Sequence, residues 1–458
     1  MTPSEVPASS QAEGRISSVR ADLFDLWGLA WPVVLSRLGI MAMGLCDAIV
    51  VGRYSARELG YHALAWAPTS VVVTMSVGLL AGVQVMTARA VGQGRRNDTG
   101  AVLRRGLKYS LWIGAISTLI TVLGGPAFLH VLGLEKDLAD GATRPLIVFA
   151  FSLPGYAISV AASLWLEGLS RPKPAAALMW VANGVNLVVD LLLVPGTFGL
   201  PALGATGGAW ATTIARTFLA VGLLAYIARM PEARELGVFT KPEKNLAAET
   251  EQRRIGFGAG ASNFFEVASF ASMNVFAGWI GGLAVASWAI TLNVAAIVFM
   301  VPLGLSTAAA VMVGRAYGAR DYRAIDRAAV VAFGVTAVFG VLAMLIVGLG
   351  AGPIAAGYTG DAATLALAVP AVALSALMFV PDALQVVCAQ ALRARGDVWV
   401  PTITHLASYV VVMAPLAWFL ALPMKLGLAG IVWAVIAASF LSAGLLLTRF
   451  WRLSVINA

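Results

Sequence analysis

Acidic side chains inside long apolar stretches are the residues of this sequence whose chemistry stands out. Five carboxylates lie in such stretches: Asp47, Glu167, Asp190, Glu266 and Asp382. An ionised carboxylate at the centre of a membrane helix costs about 3 kcal/mol on insertion scales. Such a group therefore faces a polar cavity, pairs with a cation or binds a proton. The deep acids are candidates for holding a mobile cation.

Polar neighbours strengthen this interpretation around Asp190. Asn186 and Asp190 are four residues apart, which places them on one helix face, and Asn183 lies one turn earlier. Carboxylate, amide and backbone oxygens are the ligands that hard cations prefer. Each half of the chain also carries its own deep acids. We therefore expect coupling or substrate sites to include Asp47, Asn183, Asn186, Asp190, Glu266 and Asp382.

A structural ion pair is the alternative role for each acid. Only Arg37 and Arg216 lie deep in apolar sequence, so four deep acids cannot all pair one-to-one with cations. Glu167 lies closer to a span end, near Arg171 and Lys173, and we expect it either to snorkel towards the membrane surface or to pair in the loop.

Composition identifies the class of protein. The chain has 458 residues, of which 59% are hydrophobic and 12% charged, whereas soluble chains carry about a quarter charged residues. Apolar runs of about 20 residues, enough for a helix to cross a bilayer, recur throughout. They predict an all-α polytopic membrane protein with twelve spans. The spans are 24–52, 60–86, 106–132, 145–169, 174–195, 205–228, 255–280, 284–312, 328–352, 363–391, 398–422 and 427–448.

Loop charge predicts the orientation. With both termini cytoplasmic, 24 of the 31 Lys and Arg residues fall in inner segments and 5 in outer loops, as the positive-inside rule requires. The net charge of +8 thus reflects topology, and we expect no nucleic-acid partner. Cys46 and Cys388 form no metal or disulfide pattern.

An internal repeat divides the chain. Shifting by 226 positions aligns Ser36 with Ser262, and it aligns the run from Arg89 to Gly92 with that from Arg315 to Gly318. Two six-helix copies with one orientation are parallel repeats, an arrangement typical of transporters. The predicted parts are an N-terminal tail 1–23, an N-lobe 24–228, a linker 229–254, a C-lobe 255–450 and a C-terminal tail 451–458.

Several ordered motifs resemble the multidrug and toxic compound extrusion (MATE) family. They are MGLCDAIVVGRY at 43–54, EGLSRPKPAAALMWVANGVNLVVDLLLVPGTFGLPALGATGGAWAT at 167–212, FFEV at 264–267, VPLGLSTAAAVMVGRAYGARD at 301–321 and FVPDALQVVCAQALRARGD at 379–397. The resemblance covers nearly everything from the first span to the eleventh.

The resemblance implies a fold and a site. The fold would consist of two six-helix lobes around a V-shaped cavity. The protein would export organic cations in exchange for Na⁺ or H⁺. Glu266 and Asp382 match the NorM-type branch and would form a candidate Na⁺ site. Asp47, Asn186 and Asp190 match the first-lobe polar site of the DinF-type branch. One departure is Trp288-Ala289, where NorM-like relatives often carry His-Gln.

We therefore predict a secondary antiporter, without catalytic residues or cofactors beyond its coupling ion. It would export small organic cations from the cytoplasm and act as a monomer in a bacterial inner membrane. No phosphate-loop motif is present, which favours an ion gradient over ATP. A lipid-linked oligosaccharide flippase with an arginine-rich cavity is one alternative. An intramembrane hydrolase with paired Asp residues and a cation channel are the others.

Overall fold

The computed structural model describes residues 8–131, 135–240 and 245–457, with side chains from Val19 to Val455 within these ranges. The described residues are almost entirely helical and include no β-strand. The helices are α1 Ala8–Tyr54, α2 Ala56–Gly92, α3 Thr99–Val131, α4 Lys136–Gly168, α5 Lys173–Leu193, α6 Gly204–Arg229, α7 Leu246–Ile280, α8 Gly282–Gly318, α9 Tyr322–Leu349, α10 Ala351–Ala356, α11 Ala362–Ser375, α12 Phe379–Ala394, α13 Trp399–His405, α14 Ala414–Ala421 and α15 Leu428–Asn457. Residues 1–7 of the predicted tail and 241–244 of the predicted linker lie outside the described residues.

The helices confirm an all-α polytopic membrane protein. Within the described residues, 11 helical segments are long and apolar enough to cross a membrane. The one remaining predicted span, the seventh at 255–280, lies in α7, which has 35 residues but is interrupted by polar side chains such as Asn263 and Glu266. Helices are expected here because lipid offers no hydrogen bonds to the backbone, so each N–H and C=O must be satisfied within its own segment.

Two spans are built from broken helices. The tenth comprises α11, a 3₁₀ turn over Ala376–Met378 and α12. Pro381 lies in the first turn of α12. Residues in the first turn of a helix have no carbonyl partner within the helix, so the missing N–H of proline costs no hydrogen bond there. The break in the span therefore accommodates the proline. The eleventh comprises α13, a π-helical segment over Leu406–Met413 and α14. π-Helical turns are rare and frequently occur at functional sites.

One compact unit contains residues 35–268. Its centre is α4, which packs against α2, α3 and α6, and which buries the large side chains of Phe149, Trp165 and Leu166. The Trp165 indole N–H donates to the backbone oxygen of Thr99 at 2.8 Å, so the polar edge of this buried ring is satisfied. This packing fixes α5 and α6 against the same core and positions their polar residues.

The other compact unit contains residues 1–34 and 269–458. Here α12 packs against α8, α9 and α15, and the core includes the fully buried Val387 and Tyr409. These units divide the chain at other points than the predicted lobes 24–228 and 255–450, which follow the sequence repeat and stay a prediction.

The repeat is visible in the backbone of matching loops. Gly94 and Arg320, which are 226 positions apart, both have positive φ, at 73° and 57°. Ser170 and Gly396, with the same separation, have φ of 60° and 98°. Left-handed residues are uncommon outside glycine, so two matching pairs indicate that the loops after the second and fourth spans of each half are built alike.

Candidate functional site

Asp47 is the centre of a buried polar cluster in the unit of residues 35–268. It projects from α1, while Asn186 comes from α5 and Thr212 from α6. The Asn186 side-chain amide donates to Oδ1 of Asp47 at 2.8 Å, and the Thr212 hydroxyl donates to Oδ2. Both oxygens of one carboxylate therefore accept hydrogen bonds from neighbouring helices.

Asp190 lies directly beside Asp47. It is completely buried, and neither of its oxygens has a hydrogen-bond partner among the described residues. No Lys, Arg or His nitrogen of the described residues lies within 4.0 Å of either carboxylate. Two adjacent buried carboxylates cannot both stay ionised without a cation or proton between them, because like charges repel strongly in a low dielectric.

A cavity opens beside this cluster. Its empty volume, open mouth included, is about 370 Å³, of which only a small part admits a water-sized molecule. Its lining combines polar Asp47, Thr212 and Arg216 with aromatic Trp66 and Tyr156, among apolar side chains. The arrangement offers aromatic faces and one carboxylate to a ligand.

Arg216 is held by aromatic rings. Its guanidinium carbon lies 4.8 Å from the ring centroid of Tyr156 and 5.3 Å from that of Trp66, and one nitrogen donates to the Ser152 hydroxyl at 2.8 Å. These are cation–π distances. Arg216 therefore does not form the ion pair with Asp47 or Asp190 that was the alternative role for those acids.

Asn183 lies one turn from the cluster. Its amide nitrogen donates to the backbone oxygen of Met179, at 2.9 Å in the same helix, and its side-chain oxygen is buried without a hydrogen-bond partner among the described residues. The predicted first-half set is thus partly assembled: Asp47, Asn186 and Asp190 are in contact, whereas Asn183 only adjoins them along α5.

The predicted loop pairing of Glu167 is wrong. Glu167 is 3% exposed; it accepts a hydrogen bond from the Gln84 amide at 2.8 Å and lies 4.0 Å from Arg37. Arg171 instead makes two hydrogen bonds to Glu232 after α6, at 2.8 and 3.1 Å. The pKa of Glu232 is lowered by those bonds. Glu167 projects inward because its turn of α4 packs against α2.

The two second-half acids lie in different compact units. Glu266 is a partly buried residue of α7, in the unit of residues 35–268. Asp382 is in α12 of the other unit, where the Gln385 amide donates to it at 3.4 Å and the Ser439 side chain lies beside it. Among the described residues, no three His, Cys, Asp or Glu side chains form a metal-binding group. An alkali ion would therefore need amide, hydroxyl or backbone oxygens as further ligands.

Sequence reasoning missed four side chains of the site around Asp47. Thr212 had a usable signal, because it is the last residue of the family-like run 167–212. Arg216 was considered only as a partner for an acid. Trp66 and Tyr156 had no signal in spacing, since they approach Arg216 from two other helices.

Comparison with known protein families decides the identity of the fold. The sequence model of the MatE family matches residues 32–192 and again residues 259–419. The chain belongs to the MatE family. The two matches also confirm the internal repeat, because each half fits the same model. As a MatE protein the chain is a transporter and not an enzyme, so the hydrolase alternative is wrong.

Relatives of this MatE protein cover nearly its whole length. A probable multidrug resistance protein NorM of Caulobacter vibrioides is 62% identical over 438 residues, 95% of this chain and 93% of the relative. The multidrug resistance protein PmpM of Pseudomonas aeruginosa is 30% identical and covers 88% of this chain and 85% of its own. The fold is also that of a MATE crystal structure in a bent conformation, with a TM-score of 0.88, 17% identity and coverage of 96% and 97%.

Proposed function

We propose that this MatE protein is a secondary antiporter that exports organic cations in exchange for Na⁺ or H⁺. The names of its relatives support multidrug efflux as the activity. The proposed cycle places a cation or proton between Asp47 and Asp190, or at either of the second-half acids, Glu266 or Asp382. Binding there neutralises the charge that attracts the organic cation. Because a ligand shifts a conformational equilibrium only by its differential affinity for the two states, competition for carboxylates supplies the coupling.

One observation carries the proposal. Asp47 and Asp190 lie side by side in the membrane, and their negative charge has no fixed cation among the described residues within 4.0 Å. The nearest deep arginines have other partners: Arg37 lies by Glu167, and Arg216 lies against Tyr156 and Trp66. A site of this kind is costly when nothing occupies it. It therefore favours a mobile positive partner, which is what an antiporter exchanges.

The cavity beside Asp47 suits the predicted substrate class. Aromatic faces attract organic cations and planar rings, and Trp66 and Tyr156 line this cavity with Asp47. Arg216 is the single arginine among the described lining residues. The flippase alternative needs several arginines for a pyrophosphate group, so the cavity favours cation export over it.

The predicted orientation and location belong to the same proposal. Loop charge supports cytoplasmic termini, and the bacterial relatives support the inner membrane. We also propose that one chain is sufficient for transport, because the clustered acids, the amide and the hydroxyl at Asp47 all come from one compact unit.

Drug efflux from proteoliposomes tests the proposal. Ethidium release is measured with a Na⁺ gradient and with a pH gradient, each imposed alone. We expect one gradient to drive saturable exchange and the other to drive little. Ethidium leakage that saturates with neither gradient would support a channel and contradict antiport.

Charge-neutralising variants locate the coupling site. If the coupling ion binds beside Asp47 and Asp190, Asp190→Asn is expected to reduce gradient-driven efflux at least 10-fold. If the coupling ion binds at Asp382, Asp382→Asn is expected to have that effect instead. Asp137→Asn is the matched control, because this carboxylate is exposed and pairs with Arg57 at the surface. Wild-type efflux from both test variants would contradict both assignments.

A further inference from the structure

Three adjoining segments of the unit with residues 1–34 and 269–458 bury polar atoms that have no partner. The Ser408 and Ser442 hydroxyls, the Gln385 side-chain oxygen and both ring nitrogens of His405 are buried without a hydrogen bond to any described residue, while the Ser439 hydroxyl lies against the Asp382 carboxylate. Buried polar groups are almost always satisfied, and an exception requires an explanation such as bound water. Polar cavities hold water, whereas apolar ones stay dry.

Serine in a helix usually satisfies itself, so these hydroxyls are unusual. Elsewhere, the buried Ser152, Ser159 and Ser375 each donate to a carbonyl three residues earlier, at 2.6 to 2.8 Å. That local bond is the ordinary solution for a helical serine. Ser439 and Ser442 leave it unmade although both lie in the regular helix α15. A partner other than the helix backbone is therefore expected for them.

The unpartnered groups are ordered by depth between Asp382 and the α12–α13 loop. Depth follows from the rise of about 1.5 Å per residue in a helix. His405 lies about 9 Å along α13 from this loop, and Asp382 lies about 20 Å along α12 from the same loop. Gln385 and Ser408 fall between these levels. The helices adjoin, since α15 packs on α12, on α13 and on the π-helical segment.

We propose that Gln385, Ser408, Ser439 and Ser442 hold a chain of water molecules, and that this chain carries protons between Asp382 and His405. The proposal rests on the proposed antiport and names the proton as the ion that leaves by this path. About three or four waters would bridge the difference in depth at ordinary O–H···O distances of roughly 2.8 Å. A single file of water conducts protons, whereas Na⁺ needs about six oxygen ligands around it.

Proton transfer along this chain balances at every step. Each water accepts a proton on one side while one of its own O–H bonds breaks toward the next. His405 accepts a proton at one ring nitrogen and releases the proton from the other, which returns the imidazole to its neutral form. The loop that receives the proton is cytoplasmic in the proposed orientation.

The charged and titratable groups around His405 all lie on the segments packed against it. Its own span contributes Tyr409, whose ring makes an edge contact at 5.6 Å. Helix α12 contributes Asp382, Cys388 and Arg393, of which Arg393 acts electrostatically on the imidazole, and α15 contributes Arg449 near its end.

X-ray hydroxyl-radical labelling tests for the water. Radicals form from ordered water, so a buried side chain beside the chain should be modified quickly. Tyr409 and Met273 are both completely buried in the apolar core of this unit. Because Tyr409 also contacts the His405 ring, we expect its modification to be at least 10-fold faster than that of Met273. The double variant with Ser439→Val and Ser442→Val should suppress labelling of Tyr409. Equal slow labelling of Tyr409 and Met273 in the wild type would overturn the proposal.

Transport measurements test the proton path separately. His405→Phe should slow pH-driven ethidium efflux at least 10-fold without changing equilibrium ethidium binding, which also shows that the variant folds. Ser375→Ala is the control, because that hydroxyl is bonded to Val372. Unchanged pH-driven efflux in His405→Phe would refute the path. If Tyr409 is labelled but the wild type transports nothing, the antiport proposal fails while the water site stands.

Discussion

Removing the Thr212 hydroxyl should shift the cation dependence of transport. Thr212 and Asn186 donate one hydrogen bond each to the two oxygens of Asp47. A hydrogen bond to a charged group contributes about 1.5–3 kcal/mol. Thr212→Val removes one such bond from the carboxylate of the unoccupied site, so binding of the coupling cation becomes more favourable relative to that unoccupied state. Since about 1.4 kcal/mol is tenfold in affinity, half-maximal transport should occur at a proton concentration about 10- to 100-fold lower.

The assay is pH-driven ethidium efflux from proteoliposomes, measured over a range of internal and external pH. Thr212→Ser keeps the hydroxyl and should behave like the wild type. Thr213→Val is the matched control, because that neighbouring hydroxyl bonds only to the backbone oxygens of Val148 and Ala209. A shift below twofold in Thr212→Val, or an equal shift in Thr213→Val, would refute the role given to this hydrogen bond.

Four further outcomes concern packing and ion pairs. Arg216→Lys keeps the charge but loses stacking on two aromatic rings, about 1–2 kcal/mol; a melting temperature equal to wild type would contradict this. Glu167→Ala removes a buried charged hydrogen bond, about 1.5–3 kcal/mol, and should lower the melting temperature more than Glu167→Gln. Gly78→Ala should destabilise by about 1–3 kcal/mol, because the added Cβ would lie 2.6 Å from backbone, whereas a Cβ added at Gly124 meets no atom within 4 Å, so Gly124→Ala should melt like the wild type. The hydrogen bonds and ion pair with Arg171 lower the pKa of Glu232. Docking of the segment after α6 is therefore complete above the usual carboxyl pKa of 4.5 and is lost as the pH falls through the lowered pKa of Glu232. Hydrogen exchange of that segment, followed from about pH 6 to about pH 3, should rise only at the acid end.

The fold was predictable because membrane helices are specified locally. An apolar run of sufficient length needs no partner to be recognised, and loop charge reports orientation one loop at a time. The repeat was predictable because matching positions keep the same residue at a constant offset, as Arg89 and Arg315 do. The ends of long helices were not predictable in the same way. The predicted span 284–312 stops short of the end of α8 at Gly318, because polar residues beyond the bilayer continue the helix without an apolar signal.

The candidate site was predictable only where its residues share a helix. Asn186 and Asp190 follow from a spacing of four, but the approach of Asp47 and Thr212 depends on how α1 and α6 pack against α5. Glu167 shows the same limit from the other side. Its neighbours in sequence, Arg171 and Lys173, suggested a loop pair, yet helix packing places Gln84 closer. Side-chain partners on other helices cannot be read from sequence separation.

The distribution of arginines is what separates a functional carboxylate pair from a structural one. If Arg216 were bonded to Asp47, the pair would be neutral, and an incoming cation would have to break a buried ion pair at a cost of about 3–5 kcal/mol. Stacking on Tyr156 and Trp66 prevents this, because it fixes the guanidinium in the same cavity at cation–π distance from two rings. Arg216 thus contributes positive potential without occupying the acids. An arriving cation is then repelled by Arg216 from more than 4.0 Å beyond the acids, and it has no direct ion pair to break. In the proposed antiport, the acids would therefore bind and release a cation within one transport cycle.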